Sequence, residues 1–195
     1  MPREVSFDED KVLQKATELF WLKGYNGTSM DELTIVTGLS RSSIYNSFGD
    51  KRALFLKCLE YYKHSQRAKL RKTLDKLKSP LKSIQMVFKF AVEELLMDKE
   101  NKGCLIINTT TELANLEATI YSFVKGNMED VEKMFHDWIK DGQESGEISK
   151  SFSAVALARH LYNSFSGLKI IAQTSKDRKA LEDVVKVSLS VLKPE

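Results

Sequence analysis

The stretch that begins at Ser29 carries closely spaced start and stop signals for two short helices. Ser29 and Glu32 have the Ser-x-x-Glu spacing of a capping box, in which both side chains accept hydrogen bonds from backbone N–H groups at a helix N-terminus. Gly38 can adopt the positive φ that ends a helix, and Ser40 can cap a new helix two residues later. The sequence therefore predicts a helix over residues 30–37, a very short turn and a second helix.

This second helix is predicted to have an apolar and a polar face. Ile44 and Phe48 share one side at helical spacing, and Leu39 can pack on Ile44 as a hydrophobic staple. The opposite side, in a stretch without acidic residues, carries Arg41, Ser42, Tyr45 and Asn46. Such groups can bond base edges or phosphate oxygens, so residues 29–48 are typical of a DNA-binding helix-turn-helix. The alternative is a surface-exposed helical hairpin that contacts no DNA.

Charge is divided unevenly along the 195 residues. Residues 1–80 hold 15 Lys and Arg against 10 Asp and Glu, whereas residues 81–195 hold 15 against 17. A basic first part on a mildly acidic remainder suits a polyanion-binding head on a helical body. The basic run from Lys63 to Lys78 could also bind nucleic acid, but we favour a solvated helix surface there.

Cysteine and histidine usage argues against several classes of protein. Cys58 and Cys104 lack CxxC spacing, so neither a zinc site nor a disulfide framework is indicated, and a reducing cytoplasm fits. The three histidines are scattered and no catalytic or phosphate-binding motif occurs, so we expect no enzyme and no cofactor. The first residues lack an apolar core and no apolar run approaches a membrane span, so we expect a soluble, cytoplasmic protein. A helical protein-binding adaptor stays open as an alternative.

Helical spacing of apolar residues predominates and only three prolines occur, so the fold class is predicted to be all-α with about nine helices. The first helix should start at the Ser6-x-x-Glu9 capping box and end at Gly24, and Asp50 should cap a long helix from Lys51 to about Lys78. Ser79-Pro80 marks the start of the next helix and the main domain boundary. Later helices are expected over residues 116–143, closed by Gly142 and Gly146, and over 153–173 and 177–192.

Residues 20–55, with the segment KGYNGTSMDELTIVTGLSRSSIYNSFGDKRALF, closely resemble the N-terminal domain of TetR/AcrR-type transcriptional regulators. The resemblance is specific over Val12 to Leu59 and weak afterwards. It implies a three-helix DNA-binding domain over 1–50, a connecting helix over 51–78, and a helical effector-binding and dimerisation domain over 79–195. By position it implies DNA contacts from Thr28, Arg41, Ser42, Ser43, Tyr45, Asn46 and Lys51.

One departure limits what can be carried over. Family members often have a second aromatic residue and a histidine where this chain has Asn46 and Ser47. The base preferences of other members therefore do not transfer, although Asn46 can pair with adenine and Arg41 with guanine.

The resemblance also implies an unknown small-molecule effector and, usually, repression that the effector relieves. Candidate residues of the effector pocket, each of which could instead be core packing, are Phe88, Val92, Cys104, Ile107, Thr111, Phe123, Trp138 and Tyr162. Mostly apolar walls with a few hydroxyls would suit a hydrophobic molecule.

Gly103-Cys104-Leu105 is similar to a segment in some TetR-type regulators that sense electrophiles or oxidants through a cysteine. A thiol near a helix N-terminus is a better nucleophile, which makes a cysteine-based sensor one alternative for the effector step. A small buried hydrophobic residue is the other.

The last two helices are predicted to join two copies of the chain. Both have apolar residues on more than one side, and the small residues Ser164, Ser166 and Gly167 would let another helix approach closely. A palindromic operator is most simply bound by a twofold homodimer. We therefore expect a homodimer interface of four helices, two from each subunit.

Overall fold

The computed structural model describes residues 7–194, which form nine α-helices and no β-strand. The helices are α1 (Glu9–Lys23), α2 (Met30–Thr37), α3 (Arg41–Phe48), α4 (Lys51–Leu74), α5 (Pro80–Met97), α6 (Leu105–Leu113), α7 (Ala118–Ser145), α8 (Ala154–Ile171) and α9 (Arg178–Ser190). The all-α prediction and the approximate number of helices are confirmed. Among the nine helices none is both long and apolar enough to cross a membrane.

Capping side chains and glycines end several helices where the sequence predicts it. Gly38 closes α2 with φ +75° in the left-handed region, and Gly24 ends α1. The Asp50 carboxylate accepts from the Ala53 N–H at 2.7 Å and so caps α4. The Ser79 hydroxyl caps α5, in which proline occupies the first turn.

The ends of α1 and α4 differ from the predictions. Ser6 lies outside the described residues, and the cap of α1 is Asp8, whose carboxylate accepts from the Lys11 N–H at 3.2 Å. The α4 helix ends at Leu74, four residues earlier than predicted, because the chain turns there and the Leu77 N–H bonds to the Leu74 carbonyl. This turn leads the chain into α5.

The prediction that Gly142 helps to close the long helix is wrong. Gly142 lies buried inside α7, and the helix continues to Ser145, where Gly146 takes the left-handed conformation. A Cβ atom at Gly142 would lie 2.5 Å from Ile148 Cδ1, so glycine is needed for packing there. Glycine at this position therefore reflects a close packing contact and does not mark the end of a helix.

Two hydrophobic cores organise the molecule. The head core includes Phe20, Leu33, Ile44, Phe55 and Leu59 from α1–α4, and it also takes in residues of α6 and the start of α7. The body core joins α5, α7, α8 and α9. Because α6 follows the predicted boundary at residue 79 yet packs into the head core, it links the first four helices to the body. The domain limits 1–50, 51–78 and 79–195 stay a prediction.

Candidate DNA-binding surface and ligand cavity

Hydrogen bonds fix the start of both helices of the α2–α3 hairpin. The predicted capping box forms, with the Ser29 hydroxyl 3.2 Å from the Glu32 nitrogen and the Glu32 carboxylate 2.9 Å from the Ser29 nitrogen. The Ser40 hydroxyl accepts from the Ser43 N–H at 3.1 Å at the start of α3. Hydrogen bonds from Lys23 and from Ser29 lower the pKa of Glu32 to about 2, so the carboxylate is ionised at neutral pH.

The two faces of α3 are separated as the sequence predicts. Ile44 is fully buried and Phe48 is 5% exposed, and both lie in the head core with Leu39. Tyr45 is 48% exposed, although it is a large aromatic residue. The exposed polar residues of the opposite face are Arg41, Ser42, Tyr45 and Asn46. The polar face of α3 is therefore exposed to solvent, while its apolar face is packed in the head core.

Arg41 has a partner that the α3 sequence does not reveal. Its guanidinium lies 2.9 Å from a carboxylate oxygen of Asp31, which is on α2. Both side chains are more than half exposed, so water screens the pair and it adds little to stability. The Arg41 side chain can therefore exchange Asp31 for another partner at little cost in free energy.

Two predicted contact residues are less available than the others. Thr28 is only 2% exposed, and its hydroxyl donates to the Gly24 carbonyl at 2.7 Å. The hydrogen bond of this threonine stabilises the loop between α1 and α2, so its side chain is not part of the candidate surface. Ser43 is partly buried, and its hydroxyl lies 2.9 Å from that of Ser40.

Lys51 is the first residue of α4 and follows the end of α3 by three residues. Its Nζ lies 4.3 Å from the ring centroid of Tyr25. Burial lowers the pKa of Lys51, although carboxylates of Glu112 and Glu32 oppose this shift. A partly buried ammonium beside free helix N-terminal amides is suited to a phosphate oxygen.

A carboxylate from the body holds the loop that precedes α2. The Glu112 side chain accepts from the Tyr25 N–H at 3.0 Å and from the Asn26 N–H at 2.8 Å. Glu112 is at the end of α6, and Arg52 of α4 is paired with Glu117 just after it. Because these contacts join residues far apart in the chain, the pattern of residues 20–55 gave no sign of them.

A cavity of about 660 Å³ lies between α1, α4, α5, α6, α7 and α8. Its walls are mainly apolar and aromatic, with Leu70, Val87, Phe90, Met134 and Phe165 among them. Such a size and lining are typical of a small-molecule site.

Three of the eight candidate pocket residues line this cavity, namely Cys104, Ile107 and Tyr162. The other five do not. Phe88 and Val92 are buried in the body core, and Trp138 packs against it, whereas Phe123 packs against the head core. Thr111 is exposed and donates to the Asn108 carbonyl. Helical spacing predicts which residues face the interior, but it does not distinguish a cavity wall from a filled core.

Several lining residues were missed by sequence reasoning. Trp21 of α1 and Tyr62 of α4 line the cavity. The basic run that begins at Lys63, also in α4, contributes Lys63, Arg67, Lys69 and Arg71. The predicted solvated surface holds for Arg67, Lys69 and Arg71, whose side chains are more than half exposed although they border the cavity, whereas the Lys63 side chain is only 16% exposed. The helical spacing of Leu70 and Leu74 within this basic run could have indicated that one side of α4 borders a cavity.

The two cysteines have different surroundings. Cys104 is the N-cap residue of α6 and borders the cavity, with the Tyr62 hydroxyl at 3.8 Å and Lys169 Nζ at 3.9 Å from its sulfur. Cys58 is fully buried in the head core, and burial raises the pKa of its thiol to about 12. Only Cys104 can meet a molecule in the cavity.

Comparison with known proteins identifies the family. Residues 12–58 match the model of bacterial regulatory proteins of the tetR family, and residues 80–187 match a tetracyclin repressor-like C-terminal domain. The uncharacterised HTH-type transcriptional regulator YezE of Bacillus subtilis (strain 168) is 32% identical over 98% of this chain and 100% of its own. The chain belongs to the TetR family. TetR-family members are DNA-binding transcriptional regulators and not enzymes.

Two further relatives of this TetR-family regulator have more specific descriptions. The transcriptional repressor DhaR of Mycobacterium sp. (strain GP1) is 27% identical over 94% of this chain and 91% of its own. A cysteine variant of the TetR-family regulator CifR, solved with a 26-base-pair operator duplex, has a TM-score of 0.81 and 26% identity. That match covers 97% of this chain and 98% of CifR.

Proposed function

We propose that this regulator is a repressor that binds a palindromic operator as a homodimer and leaves it when a small molecule occupies the cavity. The observation that carries the proposal is the outward face of α3, which is polar, exposed and mounted on the buried residues Ile44 and Phe48. The repressor DhaR and the operator complex of CifR support it by similarity.

In the proposed complex, α3 lies in the major groove. Arg41 and Asn46 reach base edges, whereas Ser42, Ser43, Tyr45 and Lys51 contact the backbone. Arg41 can leave Asp31 at small cost because the pair is exposed to solvent.

The homodimer is proposed to form through α8 and α9. On α9, Val184 is 39% exposed and Val187 is 71% exposed, and both lie on the stripe that begins at Ala180. On α8, a Cβ at Gly167 would meet no atom within 4 Å, so another helix can approach there. Ser166, which was predicted to be part of this interface, instead lines the cavity.

Selection of bound duplexes from a random pool tests the DNA part of the proposal. We expect one palindromic sequence to be enriched, and a footprint to protect two half-sites. A Val187→Asp variant tests the dimer by sedimentation, since a buried unpaired charge would favour the monomer. Enrichment of no sequence, or dimers that persist unchanged in V187D, would contradict the respective part.

A second candidate for the effector step is covalent sensing by Cys104, favoured by its place between Lys169, Tyr62 and the cavity. In this reaction the sulfur bonds to the β-carbon of an unsaturated carbonyl compound, and the thiol proton ends on the α-carbon. We expect Cys104→Ser to abolish DNA release by such compounds, whereas the buried Cys58→Ser serves as the matched control. Release that is unchanged in C104S would rule out this sensor.

A further inference from the structure

Positive charge predominates in the lining of the cavity. The acidic residues in it are Glu94, Asp98 and Asp130, and the basic ones are Lys63, Arg67, Lys69, Arg71, Lys102 and Lys169. An excess of one sign within apolar walls favours ligands of the opposite charge. This excess is a property of the folded chain, because the residues come from α4, α5, α7, α8 and the loop before α6.

Existing ion pairs account for most of these charges. Asp130 lies 3.0 Å from Lys63 and 2.6 Å from Arg67, and Glu94 lies 3.2 Å from Lys69. The other three pairs join Arg71 to Asp75, and Lys102 to both Glu18 and Glu100. The Asp98 carboxylate accepts from the Gly103 N–H at 2.9 Å. The carboxylates of the lining are therefore already engaged.

Lys169 differs from the other five basic residues. No carboxylate of residues 7–194 lies within 4.0 Å of its ammonium group, which stands 4.2 Å from the centroid of Phe165 and 3.9 Å from the Cys104 sulfur. Lys169 is partly buried, so water solvates it less than a surface lysine. A partly buried ammonium group that has no counter-ion is stabilised when an anion binds beside it.

Hydrogen-bond donors outnumber acceptors near Lys169. The Tyr62 hydroxyl donates to the Cys104 sulfur, and burial raises the pKa of Tyr62 well above its usual value, so the hydroxyl stays a neutral donor. The ring of Trp21 packs 5.0 Å from that of Tyr62, and its buried indole N–H has no acceptor in the described part of the chain. The Ser166 hydroxyl, which also lines the cavity, has no partner among the described residues either. An anionic oxygen is an acceptor that these unpaired donors can bond.

We infer that the cavity takes an amphipathic anion, with a carboxylate or similar group at Lys169 and an apolar body along α5 and α7. The inference rests on the proposed function, because it names the class of effector for the same cavity. The ammonium of Lys169 donates to the anionic oxygens, and the single O–H of Tyr62 does so in place of its long contact with the weak acceptor Cys104 Sγ. The apolar wall around Val87, Phe90 and Met134 covers the remainder of the molecule.

Calorimetric titration of the full chain with dodecanoate, dodecanol and dodecyltrimethylammonium, below their micelle concentrations, tests this inference. We expect dodecanoate to bind about tenfold more tightly than dodecanol, and the ammonium compound to bind most weakly. Lys169→Gln should abolish the preference for the anion, and Lys169→Arg should retain it. Lys140→Gln, on the exposed surface of α7, is the matched control and should leave the preference intact.

Each result has a definite meaning. Equal binding of the anion and the alcohol, tighter binding of the ammonium compound, or no binding of any probe would overturn the inference. A preference for the anion that survives K169Q would also overturn it. Because calorimetry uses no DNA, dodecanoate that binds with this preference but leaves the operator complex intact would support the ligand class and contradict the proposed effector step.

Discussion

The head, formed by α1–α4, and the ligand cavity were specified by different kinds of information. In the head, a cap or glycine within a few residues sets both ends of α1, α2 and α3 and the start of α4, and the outward and inward faces of α3 follow from helical spacing. The cavity instead depends on six helices that meet across long stretches of chain. Local signals can therefore define a DNA-binding surface, whereas a ligand site depends on how helices are packed.

The largest effect is expected from the residue that seats α3. Ile44→Ala should lower the free energy of unfolding by about 2–5 kcal/mol, because Ile44 is fully buried and its removal leaves a cavity. Operator affinity should fall with it. Ile35→Ala, at a position 78% exposed on α2, is the control and should change stability by less than about 0.5 kcal/mol. Denaturant titration measures both, and equal effects would show that α3 is not seated as described.

The link between head and body is expected to matter next. Glu112→Ala removes the acceptor of the Tyr25 and Asn26 N–H groups and should cost about 1.5–3 kcal/mol. Hydrogen exchange at these two amides should accelerate together. Glu129→Ala, at an exposed position of α7, is the control. If the exchange rates stay unchanged in E112A, the head does not depend on this contact and the contrast between the regions is sharper than described.

Two substitutions separate base reading from phosphate binding on the head. Arg41→Ala should reduce discrimination between the selected operator and its single-base variants by about 1–3 kcal/mol. Lys51→Ala should weaken binding to all duplexes alike and reduce the salt dependence by about one counterion. Binding measured over a range of salt concentrations distinguishes them. If both variants lose affinity uniformly, Arg41 contacts the backbone and not a base.

The smallest effect is a dependence on pH at the α2 capping box. Because the pKa of Glu32 is about 2 in the folded chain and 4.5 ordinarily, the ionised form stabilises the fold above pH 4.5. That contribution is lost as the pH falls from about 4.5 towards 2. Glu32→Gln should flatten stability over this window, as measured by thermal unfolding. An unchanged slope would mean that the carboxylate has little effect on folding.

Particular residues mark how far sequence reasoning reached. Ser29, Gly38 and Ser40 predicted the limits of α2 and the cap of α3, because capping involves neighbours in the chain. Gly142 misled the prediction, since the contact that requires glycine is with Ile148 beyond the end of the helix. Spacing also did not separate Phe88, which is in the filled core, from Tyr162, which lines the cavity.

The sequence by itself determined the all-α class, the helix-turn-helix and the polar face of α3, since caps, glycines and helical spacing act within one or two turns. Only the tertiary structure decided that Glu112 holds the α1–α2 loop, that Asp31 pairs with Arg41, and that Lys169 lines a cavity with no carboxylate partner among residues 7–194. These features join residues on different helices, and their positions depend on how all the buried side chains pack at once.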